Sequence, residues 1–219
     1  MALPTYLELV NDVLVRMREP EVTSVSENTL SKLVGKLVND AKRQVEDAYK
    51  WNALLTEITV PTVAGTAQYT LTGSGNRFKI SEVHNSTQLI ELDNVPLKVY
   101  NAWEGSTTTP PTGAPAYYCV FGQDSNGDAK VKVWPVPDAA YSIVYQLYIP
   151  SDDLTSDGDT IVVPKEPIVL GAFARALVER GEDGGLQSSE AYGLYRGSLA
   201  DYIAIESSRY FEDMNWEAV

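Results

Sequence analysis

The sequence predicts an α+β protein in which helices from both chain ends form a bundle, with an antiparallel β domain, sandwich or barrel-like, inserted between them. Ten of the 12 prolines lie between Pro61 and Pro167, and none lies in 21–60 or 168–219. Proline is costly inside helices and tolerated at strand edges and in turns, which indicates helical ends around a β-rich middle. The spacing of apolar residues follows a helical period at the ends and a strand-like pattern in between.

Two helices are predicted in residues 1–52, the N-terminal part of the bundle. A short helix covers about 5–18 and ends before the next proline. A longer helix covers about 30–49, where apolar residues keep a helical spacing, and Ser24 or Ser26 is the expected N-cap.

Seven short strands are predicted in residues 53–150, the inserted β domain. They are rich in β-branched or aromatic residues and are separated by turn residues. The predicted ranges are 55–60, 68–71, 78–84, 88–92, 117–121, 130–134 and 141–149. Residues 105–115, which are rich in threonine and proline, are predicted to form a loop.

Two further helices are predicted in residues 151–219, together with a C-terminal docking tail. Pro167 opens the first of these helices, because proline is tolerated in the first helical turn. Gly181 ends it, since glycine readily adopts the left-handed conformation at a helix C-terminus. The last helix shows apolar and aromatic residues at helical spacing over 191–203 and reaches about Arg209.

Composition excludes several classes of protein and site. The chain has 219 residues with one cysteine and one histidine, so neither a disulfide framework within the chain nor a Cys/His zinc site is expected. The first 25 residues carry charges at intervals, and no apolar run approaches the length of a membrane span, so neither a signal peptide nor membrane insertion is expected. A reducing compartment, or indifference to redox state, is expected.

Motifs for catalysis and cofactor binding are missing from the sequence. The single histidine, His84, lies in a predicted strand, and there is no Gly-x-Ser-x-Gly elbow or glycine-rich phosphate loop. Residues 124–128 superficially resemble a calcium loop, but the sixth position lacks glycine and Pro135 stands where the bidentate glutamate belongs. No enzymatic activity, metal or cofactor is therefore predicted, and the protein is expected to act through its surfaces.

The net charge of −13 argues against a partner that is bound through phosphates. The excess acid is concentrated in residues 151–219, which hold 14 acidic and 5 basic residues. Such a concentration creates a local negative field, although solubility alone would also explain it.

Eight short stretches, spread over most of the chain, carry a resemblance to a known family through their order and spacing. They are YKWN at 49–52, EITV at 57–60, AGTAQYTL at 64–71, TGAPAYY at 112–118, VWPVPD at 133–138, YQLY at 145–148, IVVP at 161–164 and LGAFA at 170–174. In this order the chain resembles the head-to-tail adaptors of tailed bacteriophages, in particular the tail tubular protein A family of short-tailed phages.

This resemblance implies a structural virion protein of the neck or tail, assembled in the host bacterial cytoplasm. About twelve copies would form a ring between the portal protein and the tail nozzle or tail tube protein. The ring would line the DNA exit channel, so that genomic DNA is only passing cargo.

Two sets of residues are the candidate sites for this function. The aromatic and sulfur-containing residues of the tail fit no helical stripe and are expected to dock on the portal, or else to fold back onto the core: Tyr210, Phe211, Met214 and Trp216. Three acids that lie away from the apolar stripe of the last helix, or at its border, are expected to line the channel, although an outer solvated face would suit them too: Glu190, Asp201 and Glu206.

Two other functions stay open. The first is a β-sandwich binding module, for example for carbohydrate, in which Trp103, Trp134 and neighbouring tyrosines form a stacking platform. The long terminal helices count against it. The second is a small cell-wall hydrolase that uses the carboxylates between Asp152 and Asp159. No buried carboxylate pair is evident in the sequence, and this counts against the second function.

Overall fold

In the computed structural model the chain folds into two compact units. Met1–Ala53 and Ser151–Val219 form the first unit, and Leu54–Pro150 forms the second. The structure describes residues 3–181 and 186–209. In chain order the elements are α1 (Tyr6–Arg16), α2 (Thr29–Ala48), β1 (Leu55–Pro61), β2 (Gln68–Leu71), β3 (Lys79–Asn85), β4 (Ile90–Glu91), β5 (Asp93–Asn94), α3 (Leu97–Ser106), β6 (Tyr117–Gln123), β7 (Ala129–Trp134), β8 (Ser142–Tyr148), α4 (Lys165–Arg180) and α5 (Leu186–Ser207). This order confirms the predicted α+β class, with helices at both ends around a β region.

Side-chain caps fix the start of both N-terminal helices. Thr5 and Glu8 form a capping box on α1, in which each side chain accepts a hydrogen bond from the other residue's backbone N–H. Asn28 caps α2 by accepting the N–H of Ser31 at 2.8 Å. The prediction of Ser24 or Ser26 as the N-cap was wrong, because the helix begins after Asn28, whose side chain accepts the N–H of the third helical residue.

The helical unit is held together by small and β-branched residues on the facing sides of its helices. α2 packs against both α1 and α4, and α4 packs against α5. The helices approach closely at two glycines, since a Cβ on Gly35 would lie 2.4 Å from the Tyr6 hydroxyl oxygen and a Cβ on Gly171 would lie 3.2 Å from the ring of Tyr195. Gly181 ends α4 with φ at 63°, as the sequence predicted.

The second unit is a sandwich of two four-stranded sheets. One sheet has the order β1-β8-β3-β4, and the other has the order β2-β7-β6-β5. All pairs are antiparallel except β5 with β6, which is parallel. Buried side chains from both sheets, including Leu71, Val131, Ile143 and Leu147, form one shared core.

Two features of this unit differ from the sequence prediction. Helix α3 was not predicted, because Pro96 at its N-cap makes no side-chain cap hydrogen bond and its apolar residues bury against the second sheet only in the folded chain. Residues 88–92 were predicted as a strand, but β4 is only Ile90–Glu91, and residues 86–89 form a tight turn instead.

Candidate interaction surfaces

Helix α5 buries a stripe of side chains and leaves large apolar residues exposed beside it. Ser188, Ala191 and Tyr195 are buried at helical spacing. Leu194, which is 63% exposed, and Ile205, which is 51% exposed, are large apolar residues that lie outside this buried stripe. Exposed large apolar residues of this kind are typical of a helix that meets a second partner.

The three acids predicted to line a channel have different surroundings. Glu190 and Asp201 are exposed on α5. Glu206 is only 7% exposed, and its Oε1 accepts the backbone N–H of Asn52 at 3.0 Å. Its Oε2 accepts a hydrogen bond from Arg209 at 2.9 Å. Glu206 thus fastens the end of α5 to the segment after α2 and does not offer its carboxylate to a channel, whereas the assignment of the other two stays a prediction.

The predicted docking tail lies outside the described residues. This applies to Tyr210, Phe211, Met214 and Trp216, since the description ends at Arg209. Their role in portal docking stays a prediction.

A groove between α4 and α5, closed at one side by α2, presents uncovered apolar surface. Its volume is about 390 Å³, and we name it the α4–α5 groove; it is lined by Gln44, Ala174, Arg175, Val178, Ser188, Ser189 and Tyr192. Val178 is 65% exposed and Tyr192 is 47% exposed. The guanidinium of Arg175 is held in place because it donates to the carbonyl oxygen of Gly171 at 2.9 Å and to Oε1 of Gln44 at 2.5 Å.

Two of the aspartates considered for a hydrolase hold their own loop in shape and connect it to the segment between α1 and α2. Asp157 Oδ1 accepts the backbone N–H of Val25 at 3.0 Å. Asp159 Oδ2 accepts the N–H groups of Thr155 at 2.7 Å and Ser156 at 2.8 Å. The N–H groups of Ser156 and Thr155 hold the pKa of Asp159 below its ordinary value, which is the opposite of what a general acid requires.

A buried ion pair anchors the same loop, and sequence reasoning missed it. Lys42 and Glu46 have no exposed side-chain surface, and Lys42 Nζ lies 3.1 Å from Glu46 Oε1. Nζ also donates to the carbonyl oxygens of Ser151 and Asp152, each at 2.9 Å. The Ser151 hydroxyl donates to Glu46 Oε1 at 2.7 Å, so the network joins α2 to the chain that leads into α4.

The tryptophans considered for a carbohydrate platform pack against each other, with Trp103 and Trp134 ring centroids 6.0 Å apart. Trp134 is 9% exposed, and the Tyr100 ring meets it edge-on with centroids 5.7 Å apart. Trp103 packs edge-on against Tyr117 at 5.2 Å. A stacking platform needs a flat open ring face, which these rings use for packing α3 on the second sheet.

The described part of the chain holds neither a metal-binding cluster nor a membrane-spanning helix. Within residues 3–181 and 186–209, no group of three or more His, Cys, Asp or Glu side chains is placed to hold a metal ion. No helix in those ranges is long and apolar enough to cross a membrane.

Comparison with known proteins gives the family. No curated protein matches the chain significantly. The sequence profile of the SU10 adaptor protein family matches residues 4–215, which includes both helical ends and the whole β unit. The chain therefore belongs to the SU10 adaptor protein family and is a phage head-to-tail adaptor, as the order of its motifs predicted.

Proposed function

We propose that this chain is a structural ring-forming adaptor that sits between the portal and the tail nozzle. About twelve copies surround the path that DNA takes on leaving the capsid, and the protein acts without catalysis. Membership of the adaptor family supports a position in the virion neck. The observation that carries the ring is the uncovered apolar surface of α4 and α5.

The exposed apolar side chains of α4 and α5 fit contacts between proteins better than contact with water. Val178, Tyr192, Leu194 and Ile205 are each roughly half exposed or more, and they lie on two packed helices of one unit. Exposed apolar patches on otherwise ordinary soluble chains mark interaction sites. Because each copy carries a charge of −13, neighbouring copies repel, and apolar contacts of this kind must offset that repulsion.

The acid-rich last third has a role in DNA passage in this proposal. Glu190 and Asp201, which are exposed on α5, face the channel. Like charge along the wall keeps DNA from binding, because phosphates gain affinity for proteins mainly through basic residues that release counterions. The tail after Arg209 docks on the portal through its aromatic residues, the residue types that dominate interface energetics.

Imaging the purified chain with and without its portal tests this function. We expect a monomer or weak oligomer in light scattering at micromolar concentration, and closed rings on the portal in negative-stain images. Binding of this kind often orders a segment of the chain, which explains why the ring needs the portal. If no ring forms on the portal at any concentration, the proposed function fails; a stable ring without portal would contradict the monomeric free state alone.

A further inference from the structure

The turn between β3 and β4 presents a leucine to solvent in an unfavourable backbone conformation. Leu89 is 90% exposed, and its φ is 57°, in the left-handed region that leucine seldom adopts. The next residue, Ile90, is 42% exposed. Residues 86–90, which we name the β3–β4 tip, carry no charge.

Hydrogen bonds hold the β3–β4 tip in this shape. Asn85 Oδ1 accepts the N–H groups of Thr87 at 3.0 Å and Gln88 at 3.3 Å. Ser86 donates its N–H to the carbonyl oxygen of Ser142 at 2.9 Å. The Ser142 N–H in turn donates to the hydroxyl of Thr87 at 2.9 Å. A loop that is fixed before it meets a partner loses little conformational freedom on binding.

The β3–β4 tip and the adjoining Asn85 carry two destabilising features for which the described part of the isolated chain shows no compensating contact. Asn85 is fully buried, and its Nδ2 has no hydrogen-bond partner. Leu89 gains no burial in return for its strained backbone. Strained residues and unsatisfied buried groups concentrate at functional sites, where a partner supplies the missing stabilisation.

We propose that the β3–β4 tip of one copy inserts Leu89 into the α4–α5 groove of a second copy. The inference rests on the proposed ring and names the residues of one contact between neighbours. The tip and the groove are different surfaces of the same chain, so the contact is head-to-tail, and repeated contacts of this type close into a ring when the rotation permits.

The lack of acidic residues on both surfaces, in the part of the chain that the structure describes, favours a second copy as the partner. Two copies with a charge of −13 each approach most readily where carboxylates are missing. The tip has none, and the lining of the groove within residues 3–181 and 186–209 includes no acid and one arginine, whose guanidinium is occupied by Gln44 and Gly171. Val178 and Tyr192 offer apolar surface against which the exposed Leu89 and Ile90 can pack.

Cross-linking between single-cysteine variants tests the contact directly. Leu89→Cys and Val178→Cys chains are mixed on the portal and oxidised by oxygen with a copper catalyst, which joins two thiols when they are close. The native Cys119 is fully buried and stays out of the reaction. We expect covalent dimers from the mixture but not from either variant alone. Val15→Cys, which replaces another half-exposed valine of the helical unit, is the matched control and should give no dimer with Leu89→Cys.

The variant Leu89→Asn separates assembly from folding. Asparagine tolerates the left-handed region, so the melting temperature should stay the same or rise while ring assembly weakens at least about tenfold. Val63→Asn, at a residue that is 61% exposed in the same unit, should assemble as the wild type does. If the wild type forms rings but the two cysteine variants give no covalent dimer, the inference is overturned and the adaptor ring stands. Normal assembly of Leu89→Asn would have the same consequence. Absence of rings from the wild type itself would reject both.

Discussion

Lys42 Nζ lies 3.1 Å from Glu46 Oε1, and both side chains are completely buried. The lysine also holds two backbone carbonyl oxygens of the segment 151–152. A buried charge is tolerated only when its partners are present, since desolvation of an unpaired ion is costly. This network therefore couples α2 to the chain that returns from the β unit.

Removing one partner of this pair should destabilise the protein strongly. We expect Glu46→Leu and Lys42→Met each to lower the free energy of unfolding by about 3–5 kcal/mol, because each leaves an uncompensated buried charge. The double variant should lose less than the sum of the two, as measured by denaturant unfolding. Arg16→Ala, which breaks an exposed pair with Glu166 at 3.9 Å, is the control and should cost about 0–1 kcal/mol. Additive losses would contradict the coupling.

Replacing Gly35 by alanine should also destabilise the helical unit. The new Cβ would lie 2.4 Å from the hydroxyl oxygen of Tyr6 and 2.8 Å from Cγ1 of Val25, both buried residues. Overpacking of this kind costs about 1–3 kcal/mol, which thermal unfolding would show. Gly193→Ala on α5 is the control, since its Cβ meets nothing within 4 Å, and it should be neutral or stabilising by about 0.5–1 kcal/mol. Equal effects of the two substitutions would refute the close approach.

The stability of the loop that ends at Asp159 should depend on pH. The N–H groups of Ser156 and Thr155 lower the pKa of Asp159 in the folded protein, so the ionised form stabilises folding above the unfolded pKa, and this contribution is lost as pH falls through the folded pKa. We expect Asp159→Asn to lower the melting temperature at pH 7 and to approach the wild type in strong acid. Ser156→Ala keeps both backbone donors and should follow the wild-type profile. A constant difference at every pH would be the contrary result.

Removing the tail tests the predicted portal contact. Deletion of 210–219 keeps Arg209, which donates to Glu206, and should leave circular dichroism and melting temperature nearly intact while strongly weakening portal binding. Replacing Tyr210, Phe211, Met214 and Trp216 by serine in the full chain should reproduce the loss. If the truncated chain unfolds, the tail belongs to the core.

Charge reversal on α5 tests the channel assignment. Glu190→Lys with Asp201→Lys should leave ring assembly unchanged, retard genome release, and let isolated rings bind duplex DNA at low salt. The pair Glu21→Lys and Glu179→Lys changes the net charge equally at other exposed sites and is the control. Unaltered release together with no gain in DNA affinity would show that Glu190 and Asp201 face outward.

The alternation of helices and strands was predictable from the sequence, because proline, glycine and apolar periodicity act through local geometry. The strand predicted at 68–71 is β2, and Gly181 ends α4 in the left-handed conformation it was expected to adopt. Membership of a phage adaptor family was likewise predictable, since family resemblance depends on residue order alone.

Which polar side chains are buried could not be predicted from local patterns, because it depends on the tertiary structure. Lys42 and Glu46 have the spacing of an ordinary surface pair on a helix, and they are buried because Ser151, 109 residues away from Lys42, closes over them. Glu206 is likewise buried because its carboxylate accepts the backbone N–H of Asn52, which is 154 residues away in the chain. Burial depends on contacts between distant segments, and local patterns carry no information about which segments will meet.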